Sequence, residues 1–210
     1  MADFNTLLGG YKRFRDNRWS NERARWRELA EGQSPKVMVI ACSDSRVDPA
    51  TIFDTSPGEM FVVRNVANLV PPFEEGGGRH GVSAALEFAV TQLEVDDILV
   101  MGHGQCGGVE AALSRRFENA PPGAGGFIAH WIDLLDDARD EIIRHHGKGD
   151  AALRELGHET VRLSIRNLRT FPPVAEREKA GRLKLHGAYF AIADGRLHLL
   201  DEKTGDFWSA

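Results

Sequence analysis

Cys42, Asp44 and Arg46 stand at alternate positions in "VIACSDSRVDP", and the other cysteine of the chain, Cys106, follows His103 in "GHGQCGGV". A thiol that ends an apolar run, with a carboxylate and a guanidinium directly after it, is a poor composition for inert packing. Thiolate and imidazole are donors that together favour zinc, and three protein ligands leave a fourth position for water. Glycines 102, 104, 107 and 108 suit a loop whose backbone bends around an ion. A thiol nucleophile is the rival reading, with Cys42 attacking, His103 as base and Asp44 orienting that base. It leaves Cys106 without a role. A redox dithiol is a third reading, weakened by the absence of any C-x-x-C.

Asp44 and Arg46 read as a pair. In an extended segment, residues i and i+2 point the same way, so Arg46 can grip Asp44 bidentately and keep it ionised. Beside a metal, such a carboxylate can accept a hydrogen bond from a bound hydroxide or ligate the metal itself. Away from one, it is a surface ion pair worth ~0–1 kcal/mol.

The elements that must position these groups follow from the apolar pattern. Val37 to Ala41 is a continuous apolar run, as expected of a strand buried on both faces in a parallel sheet. Further strands are expected at Met60 to Arg64 and at Ile98 to Met101, just before "GHGQC". Val82, Leu86, Ala89 and Leu93 share a helical face, as do Ile128, Ile132, Leu135 and Ile142. Val161, Ile165 and Leu168 mark a third helix that stops before Pro172 and Pro173. The C-terminal residues read as two strands joined around Asp194-Gly195, and residues 3 to 30 as a charged helical arm carrying Trp19 and Trp26. The expected fold is α/β: a mainly parallel central sheet flanked by helices, with an N-terminal helical arm and C-terminal strands, in one domain over residues 1–210. Cys42 and His103 then both fall at the C-terminal ends of parallel strands, where open α/β sheets bind ligands.

Composition narrows the partners. A formal net charge of −5 gives no electrostatic footprint for nucleic acid or an anionic membrane. Two cysteines do not make a disulfide framework, and the first residues are too charged for a signal peptide. The apolar run ending at Cys42 is far shorter than the ~20 residues that span a bilayer. A reducing, cytoplasmic setting is expected, in which the thiols stay free to ligate metal.

In order along the chain, "EGQSPK", "ACSDSRV", "PGEMFVVRNVANLVPP", "ALEFAV", "GHGQCGGV", "VRLSIRNLRTFP" and "LHGAYF" resemble the β-class carbonic anhydrases. The likeness covers most of the chain from about residue 30 onward. It implies one Zn2+ per subunit, held by Cys42, His103 and Cys106, with Asp44 and Arg46 as the catalytic dyad. Gln33 would donate an amide hydrogen bond to the substrate oxygen, and Gly107 would turn its backbone N–H to the pocket. Phe61, Val66 and Phe88 would line an apolar cleft, partly from a neighbouring subunit. Relatives often carry a tyrosine where Phe88 stands, so that hydroxyl is absent. The implied reaction is reversible hydration of carbon dioxide to bicarbonate and a proton, by zinc-bound hydroxide oriented by Asp44, in a homodimer or dimer of dimers. Two thiolate ligands would temper the acidification that zinc gives its water in a three-histidine site.

Val39 stands where one subtype of the family has a tryptophan belonging to an inhibitory bicarbonate site. The chain therefore resembles the plant-like subtype, with an open site and water as fourth ligand. Arg64, placed like another residue of that inhibitory site, is expected to make a structural ion pair. Carbon disulfide or carbonyl sulfide would be alternative substrates of the same motif, distinguished by the access tunnel. A non-catalytic zinc module is disfavoured by Asp44, Arg46 and Gln33, because structural zinc closes its fourth position. His80, in a glycine-rich loop, is a candidate proton shuttle with an unperturbed pKa of ~6.5. The other histidines read as solvated or structural, His145 and His146 ending a charged helix.

Overall fold

In the computed structural model of the chain, which describes residues 2–76 and 80–210, two compact units divide at Ser34 and Pro35. The N-terminal unit contains α1 (Phe4–Phe14), a π-helical turn (Arg15–Trp19) and α2 (Arg23–Glu31). Asp3 caps α1, accepting from the Thr6 amide at 2.8 Å. The arm expected as one helix is thus interrupted in "RDNRWSN". There Asn17 donates to the Arg13 carbonyl and Ser20 to that of Arg15, the competition by short polar side chains that disfavours a regular helix. Phe14 and Trp26 meet edge to face at 5.3 Å across the interruption.

The second unit is built on β1 (Val37–Cys42), whose residues from Met38 on are all buried. It continues through α3 (Pro49–Ile52), β2 (Met60–Asn65), a 3-10 turn (Val66–Asn68), α4 (Gly81–Thr91) and β3 (Asp97–His103). Next come α5 (Gly107–Leu113), α6 (Gly126–Ile132), a second 3-10 turn (Asp133–Leu135), α7 (Asp136–His146), α8 (Asp150–Leu168) and α9 (Pro172–Lys179). The chain closes with β4 (Lys184–Ala191), β5 (Arg196–Leu200) and β6 (Phe207–Ser209). The sheet order is β2-β1-β3-β4-β5-β6. The first four strands are parallel, and β5 and β6 are added antiparallel.

The α/β reading holds, with the mainly parallel sheet. α8 ends at Leu168, before Pro172 and Pro173 as expected, and Pro172 then starts α9, because a proline costs nothing at the first helical position. Two local differences remain. The region carrying Ile128 to Ile142 is two helices joined by a 3-10 turn. β6 adds a third C-terminal strand, too short for alternation to reveal. Part of the glycine-rich loop, residues 77–79, lies outside the described residues.

Alternation along β1 sorts the core. Met38 and Ile40 face Leu86, Val90, Val161, Ile165 and Leu168 of α4 and α8. Val39 and Ala41 face the other way, with Met101 and Ala188. A third cluster gathers at the strands' C-terminal ends, where Cys42 and Cys106 join Val47, Ala67, Leu69 and Val109. At the far side of the sheet α8 also holds β6. His158 stacks on Phe207 at 4.4 Å and meets Tyr189 edge to face at 4.5 Å. Burial pushes the His158 pKa down to about 4. A histidine depressed in the folded state contributes stability that is present above the unfolded pKa of ~6.5 and lost as pH falls towards the folded value. After discounting for screening at its open edge, that is about 2 kcal/mol. His158→Phe, which keeps the aromatic stack, should therefore lose about 2 kcal/mol less stability than the parent between pH 7 and pH 4.5, measured by urea unfolding.

Candidate metal centre

β1 and β3 are hydrogen-bonded parallel neighbours, with Ala41 opposite Met101. Their last residues, Cys42 and His103, therefore emerge side by side. The chain leaves β3 through Gly104 and Gln105 and turns back at once. Gln105 takes a left-handed backbone (φ 53°), and Cys106 becomes the cap residue of α5. Gly104 lies against Ile192 and the Tyr189 hydroxyl, where a Cβ would be 3.7–3.8 Å from each.

The ligand atoms of Cys42, His103 and Cys106 all lie within 4.8 Å of one another. The two sulfurs are 3.8 Å apart. A tetrahedron with zinc–sulfur bonds of ~2.3 Å puts its sulfurs at about that separation. His103 Nδ1–H donates to its neighbour's carbonyl, Gly104 O, at 2.9 Å, which leaves the Nε2 lone pair free. That buried Nε2 has no hydrogen-bond partner among the described residues. An orphaned acceptor aimed at two thiols is what a metal site looks like from its protein side, so the residues present fit zinc.

Backbone amides surround the sulfurs. The backbone amides of Asp44 and Ala67 lie near enough to Cys42 to favour its thiolate, and those of Gly108 and Val109 do the same for Cys106. The two sulfurs are within hydrogen-bond reach of each other, a contact that holds the Cys42 thiol well below its usual range. Cys106 is pushed far up, by the Cys42 sulfur first and by burial second. A dication removes that conflict by letting both ionise.

Asp44 lies beside the cluster, its Oδ2 3.9 Å from His103 Nε2. Arg46 grips both carboxylate oxygens, with Nε to Oδ1 at 2.9 Å and Nη2 to Oδ2 at 2.6 Å. The Arg46 amide adds a bond to Oδ1 at 3.0 Å. These contacts hold the Asp44 carboxyl well below the usual carboxylate range. Arg46 is itself tied to the Gln105 carbonyl at 2.9 Å, which links the dyad to the His103–Cys106 loop.

Arg64, on β2, carries more than the expected ion pair. It meets Asp48 at 3.1 Å and also donates to the carbonyls of Cys42 at 2.9 Å, Asp44 at 2.6 Å and Val47 at 3.3 Å. Sequence reasoning found the ion pair and not the clamp. It also missed Asn65, whose amide bonds both the N–H and the C=O of Leu69, and Trp131, which donates to the Val66 carbonyl at 2.7 Å. Between them, Ala67 (φ 63°) and Asn68 (φ 49°) are both left-handed. Such residues cost about 1–2 kcal/mol each when they carry a Cβ. An asparagine is the only local hint of such a turn in "NVAN".

The remaining expected site residues are not all brought together. Val66 packs against α5, so closely that a Cβ on Gly108 would lie 2.6 Å from its Cγ1. Gly107 is the exposed first residue of α5. Phe61 and Phe88 stack on each other at 5.9 Å, with Phe61 packed against the cluster around Met38 and Ile40 and Phe88 exposed. Phe61 pairs with Met38 in register, roughly 13 Å back along the strand from Cys42 at ~3.3 Å per residue. They do not join the ligand cluster within one subunit. Val39 is fully buried. Gln33 is exposed in the segment after α2, within the N-terminal unit. His80 precedes α4 and makes no side-chain cap bond.

The family model described as carbonic anhydrase matches residues 37–197. A carbonic anhydrase of Pseudomonas aeruginosa is 38% identical over 204 residues, covering 97% of this chain and 90% of the relative. The mitochondrial β carbonic anhydrase 6 of Arabidopsis thaliana is 37% identical over 199 residues, covering 92% of this chain and 67% of the relative. Among solved structures, that of the β-carbonic anhydrase CcaA superposes with a TM-score of 0.90 at 31% identity, covering 98% of this chain and 91% of that one. A tetrameric β-carbonic anhydrase of Sordaria macrospora gives a TM-score of 0.78 at 27% identity, covering 94% and 96%. With three buried donors fitted to zinc at the sheet edge and likeness over nearly its whole length, the chain belongs to the β-class carbonic anhydrases, a family of zinc lyases.

Proposed function

We propose that this chain catalyses the reversible hydration of carbon dioxide to bicarbonate and a proton, with Cys42, His103 and Cys106 as the zinc ligands and Asp44 held by Arg46 as the orienting base. The observation that carries the reading is the pinned carboxylate, whose Oδ2 lies 3.9 Å from the unpartnered His103 Nε2. Zinc held by these residues supplies Lewis acidity, lowering the pKa of water at its open position. Asp44, kept ionised by Arg46, can accept a hydrogen bond there and so orient the attacking lone pair. Arg46 cannot turn away without breaking its bond to the Gln105 carbonyl. The Gly107 amide, at the free start of α5, is a donor for an oxygen of the substrate. Gln33 enters as a second donor, and Phe61 and Phe88 as apolar lining given across a subunit contact, on their resemblance in sequence. Val66, beside Gly108, supplies lining from the same chain.

Two finer readings belong to this proposal. The site rests open, because the Asp44 oxygens are engaged by Arg46 and Val39 replaces the tryptophan of the bicarbonate-inhibited subtype. The protein works as a homodimer or dimer of dimers. β2 is an edge strand, and Val62 (39% exposed) and Phe88 (44% exposed) leave apolar surface beside it. Among the described residues no helix is long and apolar enough to cross a membrane. The free thiols of the ligand set suit a reducing compartment such as the cytoplasm.

The deciding experiment is stopped-flow carbon dioxide hydration on zinc-assayed protein. Full zinc occupancy without hydration at pH 8.5 would overturn the proposal. Asp44→Asn is expected to keep its zinc while kcat falls by roughly 10²-fold or more; undiminished turnover would remove Asp44 from the mechanism. Activity of the parent should fall smoothly, as a single titration, between pH 8.5 and pH 7. An abrupt loss, or a crystal at pH 7 with Asp44 bound to zinc, would contradict the open site.

A further inference from the structure

Among the described residues, four buried polar side chains remain outside this mechanism: Arg139, paired with Asp136 and Asp140, and a cluster of three, in which Asn68 is 1% exposed and Thr160 and Ser164 are fully buried. These three lie where α8 crosses the 3-10 turn that follows β2. The Asn68 side-chain amide donates to Thr160 Oγ1 at 3.0 Å, and Ser164 Oγ donates to the Asn68 carbonyl at 3.1 Å. Ser164 Oγ in turn accepts from the Val70 amide at 3.1 Å. One residue is thus gripped by both its side chain and its backbone. That residue and the one before it are the consecutive left-handed positions Ala67 and Asn68.

Nothing in the local sequence selects that conformation for an alanine, so it must be imposed from outside. The result is specific: Ala67 is packed into the buried cluster that holds Cys42 and Cys106, with its amide near the Cys42 sulfur. The opposite side of the turn is equally constrained. Gly108 leaves room for it, since a Cβ there would stand 2.6 Å from Val66 and 3.2 Å from the Ala67 Cβ. Gly108 itself stands two residues after Cys106, its amide beside that sulfur. The turn and the start of α5 therefore fit as one unit that brings amides close to both sulfurs, and α8 fixes the turn. Donors to a ligating thiolate spread its charge and fix its direction, so they act on metal retention and ligand strength.

We propose that Asn68, held by Thr160 and Ser164, is a positioning residue for the metal centre, locking the left-handed turn that aims the Ala67 amide at Cys42. The inference rests on Cys42 being a zinc ligand and goes beyond that assignment by naming what tunes it. Thr160→Val removes the acceptor for the Asn68 amide, and Ser164→Ala removes the donor to its carbonyl.

The test uses full-length, zinc-loaded protein and reads zinc release to excess 4-(2-pyridylazo)resorcinol, together with the thiolate-to-metal charge-transfer band of the cobalt-substituted protein. Both variants should release zinc roughly tenfold faster than the parent. Their cobalt band should move to longer wavelength, because a sulfur with fewer hydrogen bonds is a better electron donor. Thr160→Ser, which keeps the acceptor, should restore both readouts. Leu168→Ala, cut into the apolar face of the same helix, serves as the control for general loosening and should move neither. Unchanged release and band in Thr160→Val and Ser164→Ala overturn the proposal, and so does an equal change in Leu168→Ala. Full zinc content in Cys42→Ser would overturn the ligand assignment and the relay together, whereas normal zinc in the parent with unmoved variants overturns the relay alone.

Discussion

Two sulfurs 3.8 Å apart in a buried pocket cannot both carry charge unless a cation stands between them, and much of the surrounding structure answers that constraint. The ligands come from separate stretches of chain, so local folding cannot bring them together; only a correctly assembled parallel sheet does. Backbone amides lie close to each sulfur, and the imidazole is turned by a carbonyl so that its free nitrogen faces inward. The electrostatic conflict is left for the metal to resolve, which couples metal affinity to the completed fold.

Rigidity at the sheet edge is set against strain in the loops. Cys42 and His103 end strands whose inner residues are fully packed. The segments around them hold uncommon backbone at Ala67, Asn68 and Gln105. Left-handed residues persist only where neighbours over-determine them, and here the neighbours are identifiable: α8 for Asn68, Asn65 for Leu69, and Arg46 for the Gln105 carbonyl. Asp44 is ionised for the same reason that it is immobile, since a single guanidinium does both. Orientation and protonation state are therefore not independent properties of this site.

Much of this was legible in the sequence. The apolar runs before Cys42 and His103 announced buried strands, and the strand ends announced the site, because parallel strands place their C-terminal ends together. Asp44 and Arg46 could be paired from their spacing alone. What escaped notice depends on contacts between distant segments. Asn68, Thr160 and Ser164 are ordinary polar residues until α8 is laid against the turn. The break in the N-terminal arm arises from side chains competing for backbone carbonyls, and periodicity does not weigh that competition. Phe61 and Phe88 fall far from the ligands within one chain, because Phe61 pairs with Met38, four residues before Cys42 on the strand.

Arg64 belongs to the edge strand of the sheet, opposite Ala41, yet its guanidinium spans the carbonyls of Cys42, Asp44 and Val47. Successive residues of a strand point to opposite faces, so a slip of β2 by one position would carry that guanidinium to the wrong side of the sheet. The loop bearing Asp44 would then lose its scaffold even though every residue in it was intact. Pairing of the outermost parallel strand and assembly of the loop that carries Asp44 are in this sense one event, proofread by a single side chain.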